Sequence, residues 1–498
     1  MSRPAPTDVQ ELVAADGLTV LGRTHLVGVG GAGMSAVAGL LAARGVPVSG
    51  SDAQDGPALV PLRAAGVTVF VGHDAAHLDG VDTVVVSSAV RESNVELARA
   101  RRDGLRVLHR SEALAALMVG RRAVAVAGAH GKTTTSAMVA TALLEAGLDP
   151  SFAIGGTVLT AAGPVAGGRP GEGPTFVAEA DESDGSFLAY APEVAIVTNV
   201  EPDHLDHYGT REAFEDAFVA FTERVVPGGL LVTCVDDPGA ARLVERTRAG
   251  LAARGVDVVT YGTDARADVV VGPVRLQGGS WSATLDAAPA IGSTTLVLTA
   301  PGAHNALNAA AAYVAARRLG ASVASATAGL AAFRGTGRRF EHRGDAGGVR
   351  VVDDYAHHPT EVAALLRAAR AVAGDGRVLA LFQPHLFSRT RTFATEFAEA
   401  LDLADVVVVT DVYAAREDPD PEVTGAMITE RVPTEGRATF VADRAQAAVA
   451  VARAARPGDL LLTIGAGDVT ALVPDVLAEL ARAAGAGAGP QSGVAEDA

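Results

Sequence analysis

The chain has 498 residues, 49% of them hydrophobic and 20% charged, with a formal net charge of −17; this length predicts three domains of ordinary size, and the acidity excludes nonspecific nucleic-acid binding, which needs a basic face. No apolar run approaches the roughly 18 residues of a membrane span, and Met1–Ala15 lacks the apolar core of a signal peptide. The single cysteine, Cys234, excludes an internal disulfide framework and fits a reducing cytosol.

Residues 1–119 form the first expected domain, and from residue 24 short apolar runs alternate with amphipathic stretches. Strands are expected at His25–Gly30, Val46–Gly50, Val67–Gly72, Thr83–Ser88 and Arg106–His109, with helices at Met34–Arg44 and Val95–Arg102. That is the rhythm of a doubly wound, Rossmann-like parallel sheet. The glycine tract Gly28, Gly30, Gly31, Gly33, followed by Met34 and Ser35, leaves the first strand and opens a helix, and Asp52 ends the next strand. This matches a dinucleotide fingerprint, so an NAD(P)-dependent oxidoreductase is one reading, but the same backbone cradles any diphosphate.

Residues 120–333 form the second expected domain. Its strand Ala123–Ala127 runs into Gly128-Ala129-His130-Gly131-Lys132-Thr133-Thr134, and Thr133–Leu144 has the composition of a helix. Lys132 is the chain's one lysine among 41 basic residues. A strand, a glycine turn and a lysine at a helix start suit a nucleoside triphosphate: backbone amides cradle the phosphates, the ammonium neutralises them, and the Thr133 hydroxyl can ligate Mg2+. Two acidic clusters follow at strand ends. Glu179, Asp181, Glu182 and Asp184 come after Thr175–Ala178; Asn199, Glu201, Asp203, His204, Asp206 and His207 come after Val194–Thr198. Either alone reads as a solvated loop; both beside a phosphate loop point to metal. Val269–Leu298 alternates like antiparallel hairpins, and a helix is expected over Asn305–Leu319.

Residues 334–484 return to the α/β rhythm with strands at Val349–Asp353, Arg377–Phe382, Val406–Thr410 and Leu460–Ile464. Residues 485–498, rich in Gly and Ala, are expected to be a disordered tail.

Together, GAHGKTTT (Gly128–Thr135), EADESDGSF (Glu179–Phe187), TNVEPDHLDHY (Thr198–Tyr208) and PGAHNALNAAAA (Pro301–Ala312) resemble the ATP-dependent Mur ligases. The resemblance implies a three-domain α/β fold with a central P-loop-type ATPase domain. It also implies an acyl-phosphate mechanism, in which ATP phosphorylates a carboxylate and an amine displaces the phosphate. By the same resemblance Lys132, Glu179, His204 and Arg339 serve catalysis, and two Mg2+ ions are held by Thr133, Glu179 and His204. Gly128–Thr134, with Asn305 and Asn308, contact ATP, the two asparagines at its adenine end.

The N-terminal tract, with Ser49–Asp52, Ser87–Val90 and Asn94-Val95-Glu96, resembles the UDP-sugar domain of the alanine-adding branch. There Gly28, Gly30, Gly31, Gly33, Met34, Ser35, Asp52, His73, Ser87 and Ser88 would surround the UDP-sugar. Asp353–Glu361 and Phe382–Thr390 match that branch too, so Tyr355, His357 and Arg389 would shape an amino-acid pocket, and Arg338-Arg339-Phe340 a γ-phosphate contact. The implied reaction joins L-alanine to the lactyl carboxylate of UDP-N-acetylmuramate in the cytoplasm, in a monomer or weak homodimer without membrane or nucleic-acid partners. A related ligase using another amine or a peptide is the alternative. Three residues depart from the pattern: Ala129 replaces a threonine, Leu386 an arginine, and Arg416 interrupts an Ala-Gly-Glu stretch. Several family members carry a carbamoylated central-domain lysine; this chain, with Lys132 committed to ATP, has none to offer.

Overall fold

Strands β1 (Thr24–Val27), β2 (Val48–Asp52), β3 (Thr68–Val71), β4 (Thr83–Val86) and β5 (Arg106–His109) pair in parallel in the order β3-β2-β1-β4-β5. The computed structural model describes residues 7–160, 163–277, 280–415 and 417–487. The strand order reverses between β1 and β4, and the glycine tract leaves β1 at this switch point, where open α/β sheets bind ligands. Several boundaries differ from expectation, β4 among them, which stops at Val86 short of Ser88. β1 stops at Val27 because Gly28 begins the turn, and β2 lies two residues later than its apolar run, so Ser51 and Asp52 belong to it.

The second sheet is built from β6 (Arg122–Ala127), β7 (Ser151–Ala153), β10 (Gly168–Arg169), β11 (Thr175–Glu179), β12 (Val194–Val197), β13 (Leu230–Cys234), β14 (Asp257–Gly262), β15 (Val269–Val271), β16 (Arg275–Gln277), β17 (Ser280–Ala287) and β18 (Thr294–Leu298); β8 (Val158–Thr160) and β9 (Gly163–Val165) form a separate hairpin. The order is β10-β7-β11-β6-β12-β13-β14-β15-β17-β16, with β18 on β17. In this order β7-β11-β6-β12-β13-β14-β15 run parallel, β10 is antiparallel to β7, and β15 to β18 pair antiparallel, as the alternation over Val269–Leu298 predicted. β6 is flanked on both sides, and Ala123–Ala127 are all buried, as an apolar run in a central parallel strand requires. Its loop therefore emerges between Glu179, at the end of β11, and Thr198-Asn199, beyond β12.

One hydrophobic cluster runs from Val9 and Val13 in the helix Thr7–Asp16, through Leu26 and Met34, to Ala125, Phe176 and Phe214. The first two sheets accordingly share a compact unit, Met1–Thr299 with His304–Thr336.

The second unit takes Ala300–Ala303 and the chain from Gly337. Its sheet comprises β19 (Glu341–Ala346), β20 (Val349–Asp354), β21 (Val378–Phe382), β22 (Val406–Val409), β23 (Ala438–Phe440) and β24 (Leu460–Ile464), in the order β19-β20-β24-β21-β22-β23 with only β19 antiparallel. Alternate residues feed two cores: Val352, Ala380 and Leu462 on one face, Val351, Leu379 and Leu461 on the other. Both faces are covered, which explains the continuous apolar runs. The last helix, Val473–Gly487, takes in residues 485–487 of the expected tail; residues 488–498 and Arg416 lie outside the described residues.

Candidate active site

Gly128 leaves β6 at φ +131°, and a Cβ there would lie 2.1 Å from Thr198 Oγ1, so the loop closes on the end of β12 only with glycine. Thr198 Oγ1 and Asn199 Nδ2 donate to the His130 carbonyl at 2.5 and 3.0 Å, and the His130 amide donates to Asn199 Oδ1 at 2.9 Å. The His130 ring reaches Glu201, Nε2 to Oε2, at 3.1 Å. The helix Lys132–Glu145 follows at once; its first-turn amides lack intrahelical acceptors, as in any helix, and no side chain caps them. Asn308 Oδ1 would lie 2.8 Å from a Cβ on Gly131, which puts this asparagine beside the phosphate loop; its Nδ2 donates to Asn305 Oδ1 at 3.3 Å.

Lys132 Nζ donates to Gly128 O at 2.7 Å, Ala129 O at 3.2 Å and Glu182 Oε1 at 2.8 Å. Burial opposes the ammonium's charge, but Glu182, Asp181 and Glu179 outweigh it and raise the lysine pKa. Burial raises the Glu182 carboxyl to about 7 in spite of Lys132. Position 129 supplies a carbonyl to Lys132, which alanine provides as well as threonine.

Thr133 Oγ1 donates to both oxygens of Glu179, at 3.0 and 3.1 Å, and Glu179 Oε2 also accepts the Gly155 amide at 2.8 Å. A hydroxyl and a carboxylate beside an open helix N-terminus are hard oxygen donors, a set that fits Mg2+ bound partly through phosphate. His204 stands in the second cluster at φ +53°, its Nε2 3.6 Å from Asp203 Oδ2. Thr133 and Glu179 are thus in contact, whereas Glu182, read from sequence as one of a metal-like cluster, is the partner of Lys132.

At the glycine tract, the Gly30 amide donates to Asp52 Oδ2 at 2.9 Å and the Gln54 amide to Oδ1 at 3.3 Å. An acidic residue here in a dinucleotide fold receives ribose hydroxyls; Asp52 carries a backbone amide on each oxygen. The helix Ala32–Ala43 opens with no acidic residue and no side-chain cap. Met34 is buried in the core, and Ser35 Oγ donates to Ala32 O at 3.0 Å. The Ser87 carbonyl accepts the Val90 amide at 3.0 Å. Ser88 Oγ donates to Asp184 and lies 3.2 Å from His109 Nε2, tying the first sheet to the acidic cluster of the second.

Asn94-Val95-Glu96 has a structural account. Asn94 Oδ1 caps the helix Val95–Arg102 by accepting the Glu96 and Leu97 amides at 2.9 and 3.2 Å. Glu96, fully buried, gathers Ser51 Oγ at 2.6 Å, His77 Nδ1 at 2.8 Å, His73 Nδ1 at 2.9 Å and His25 Nε2 at 3.6 Å. Burial pushes its carboxyl up, but His25, Ser51 and His77 prevail and bring it to about 2. His73 is therefore held from behind by a carboxylate.

In the second unit, Tyr355 lies under two guanidinium groups, Arg338 Cζ 4.9 Å and Arg339 Cζ 5.2 Å from its ring centre. Arg339 Nη1 donates to Glu361 Oε1 at 3.4 Å, and His357 Nδ1 lies 3.2 Å from Glu361 Oε2 and 3.1 Å from the Tyr355 carbonyl. The His357 and His385 rings are 5.9 Å apart. Arg389 is buried in the helix Phe387–Thr392, whose first amides at Phe387 and Ser388 are capped by Glu417 at 2.5 and 3.1 Å. Leu386 precedes this helix at φ +70° with its side chain buried. Burial, partly offset by Arg339, raises Asp354 to about 6.

A lysine-bearing phosphate loop at the centre of a parallel sheet, with carboxylates at the flanking strand ends, defines a nucleoside-triphosphate-binding α/β protein. Residues 23–122, 126–316 and 338–467 match the models of, respectively, the Mur ligase family catalytic domain, the Mur ligase middle domain, and the Mur ligase glutamate ligase domain. The chain belongs to the Mur ligase family. It is similar to the UDP-N-acetylmuramate–L-alanine ligases of Kineococcus radiotolerans, 61% identical over 94% of this chain and 98% of that one, and Renibacterium salmoninarum, 54% identical over the same shares. Among solved structures it resembles the UDP-N-acetylmuramate-alanine ligase of Thermotoga maritima, with 30% identity, TM-score 0.75, and 93% and 99% of the two chains covered. A murein peptide ligase from Psychrobacter arcticus matches with 26% identity, TM-score 0.67, and 92% and 98% covered.

Proposed function

We propose that this chain ligates L-alanine to the lactyl carboxylate of UDP-N-acetylmuramate at the expense of ATP, through an acyl phosphate. The contact of Thr133 with Glu179 beside Lys132, in a chain 61% identical to a ligase of that name, carries the reading. The glycine tract holds the diphosphate, Asp52 fixing its turn, with Ser87, Ser88 and His73 nearby. The loop amides and Lys132 bind the ATP phosphates, the ammonium neutralising charge on the transferred group. Asn305 and Asn308 complete that site. Thr133, Glu179 and His204 would hold Mg2+, which when bound screens repulsion between the anionic substrates.

Tyr355, His357 and Arg389 of the second unit bind L-alanine, the buried guanidinium pairing with its carboxylate, and Arg339 reaches the γ-phosphate. The alanine ammonium must lose a proton before attack on the acyl carbon, and a carboxylate near His204, or His204 itself when it holds no metal, is the acceptor proposed. Phosphate then leaves and the amide forms. We place this chemistry in the cytosol, in a monomer or weak homodimer.

The test is phosphate release by the purified protein with UDP-N-acetylmuramate, ATP and Mg2+, before and after L-alanine. Release that depends on L-alanine is expected, with other amino acids and a peptide acceptor giving far less. Absence of alanine-dependent release, or a peptide outperforming alanine, overturns the reading.

A further inference from the structure

Gly33 occupies the third glycine position of the tract, which in a dinucleotide fold permits close packing of helix on strand. Here something else fills the space. A Cβ on Gly33 would lie 2.2 Å from Nη1 of Arg110 and 3.2 Å from its Cδ and Cζ. The guanidinium is therefore laid across the first turn of the helix Ala32–Ala43, and glycine is what admits it.

A cation at a helix N-terminus is electrostatically disfavoured unless an anion accompanies it. Gly33 is in the first turn of a helix, so the cation sits by an electropositive helix end. That helix has no acidic residue in its opening turn and no side-chain cap. Glu112, in the opening turn of the helix Arg110–Met118, is spent on the His109 amide at 2.5 Å. Among the described residues Arg110 has a single hydrogen-bond partner, Asp181 Oδ2 at 3.3 Å, and Asp181 gives its other oxygen to the Ser183 amide at 3.1 Å. The guanidinium on this uncapped helix end is thus paired with a single carboxylate, Asp181.

We propose that Arg110 is a substrate-binding residue that pairs with the diphosphate of the UDP-sugar, exchanging its contact with Asp181 for phosphoryl oxygens. A guanidinium presents parallel N–H donors that match adjacent phosphoryl oxygens. The proposal rests on the glycine tract being the diphosphate cradle.

The test measures binding of UDP, uridine and UDP-N-acetylmuramate, together with steady-state kinetics, for the whole protein and the variants Arg110→Ala, Arg110→Lys and Gly33→Ala. Gly33 lies in the helix without a positive φ, so its methyl displaces the guanidinium while leaving charge and backbone in place. A lost charge-assisted pair weakens binding about 10- to 100-fold. Arg110→Ala should show that factor for UDP and UDP-N-acetylmuramate alike, with uridine unchanged. KM for the UDP-sugar should rise equally, with KM for ATP unchanged. Arg110→Lys should recover part of the affinity, and Gly33→Ala should show a smaller loss of the same pattern. Unaltered UDP binding in Arg110→Ala and Gly33→Ala overturns the proposal, as does loss for UDP-N-acetylmuramate alone, which would put Arg110 on the lactyl carboxylate. If the unmodified protein fails to bind UDP-N-acetylmuramate, the functional reading fails instead.

Discussion

Lys132 Nζ lies 2.8 Å from Oε1 of Glu182, a carboxylate with no exposed side-chain surface whose Oε2 has no hydrogen-bond partner among the described residues. The ammonium proposed to meet ATP is thus held by an acid and two carbonyls. On that proposal nucleotide binding draws it away, and the abandoned buried carboxylate then favours its protonated form still more strongly.

Glu182→Gln tests this pairing through pH. The folded-state pKa of Glu182 is raised from 4.5 to about 7, so its favourable contribution is present below pH 4.5 and lost as pH rises through 7. Relative to the wild type, Glu182→Gln should therefore gain about 3 kcal/mol between pH 4.5 and 8, since moving a pKa by one pH unit is worth roughly 1.4 kcal/mol; urea unfolding reads the difference. ATP binding near pH 7.5 should also take up more protons in the wild type than in the variant, by calorimetry in buffers of different ionisation enthalpy. Equal uptake would show that Lys132 keeps Glu182.

Glu96 predicts the opposite limb. Its carboxyl is lowered from 4.5 to about 2, so its contribution is present above pH 4.5 and lost as pH falls toward 2. Glu96→Gln should remove a stabilisation of about 3 kcal/mol from this part of the acid-unfolding profile, and should leave ATP binding unaltered. A profile of unchanged slope between pH 4.5 and 2 would contradict the carboxylate's dependence on its histidines.

The long parallel strands and the lysine loop were legible because their signals are local: an apolar run, a glycine turn, a helix start. β7, with three residues, and β10, with two, carry no such signal and exist through pairing with distant strands. The site was legible to the same extent. Thr133 and Glu179 stand out by motif, whereas Glu182 belongs to an acidic run whose members only the fold separates into metal candidate and lysine partner. Arg110 is one arginine among 40, and nothing in its neighbours marks it; its closeness to Gly33, 77 positions away, is a product of the tertiary fold.

Gly128→Ala should disable the phosphate loop and little else. The added Cβ would meet Thr198 Oγ1 at 2.1 Å and the Asn199 backbone at 3.0 Å, and φ +131° strains any L side chain. The loop must shift, misaligning its amides. A rise in KM for ATP of at least about 10-fold is expected, with UDP affinity unchanged because the glycine tract lies on the other sheet. Both values near wild type would mean that the loop moves without consequence.

Lys132→Arg bears on why one lysine persists among 40 arginines. Nζ fits three acceptors at 2.7, 3.2 and 2.8 Å at the foot of a thin stem. A guanidinium is wider, planar and unable to turn its donors independently, so it cannot meet the same carbonyls and Glu182 without displacing the loop. Charge is conserved, so any loss reports geometry. The variant should stay folded while kcat/KM for ATP falls at least about 100-fold, a transition-state penalty of about 3 kcal/mol. Mutating another cation of this unit, Arg122, to lysine supplies the contrast: it pairs with Glu193 at 2.7 Å away from the loop and should alter stability but not kcat. Near-normal turnover in Lys132→Arg would mean that the site asks only for a positive charge, and the lysine's survival would then need another cause.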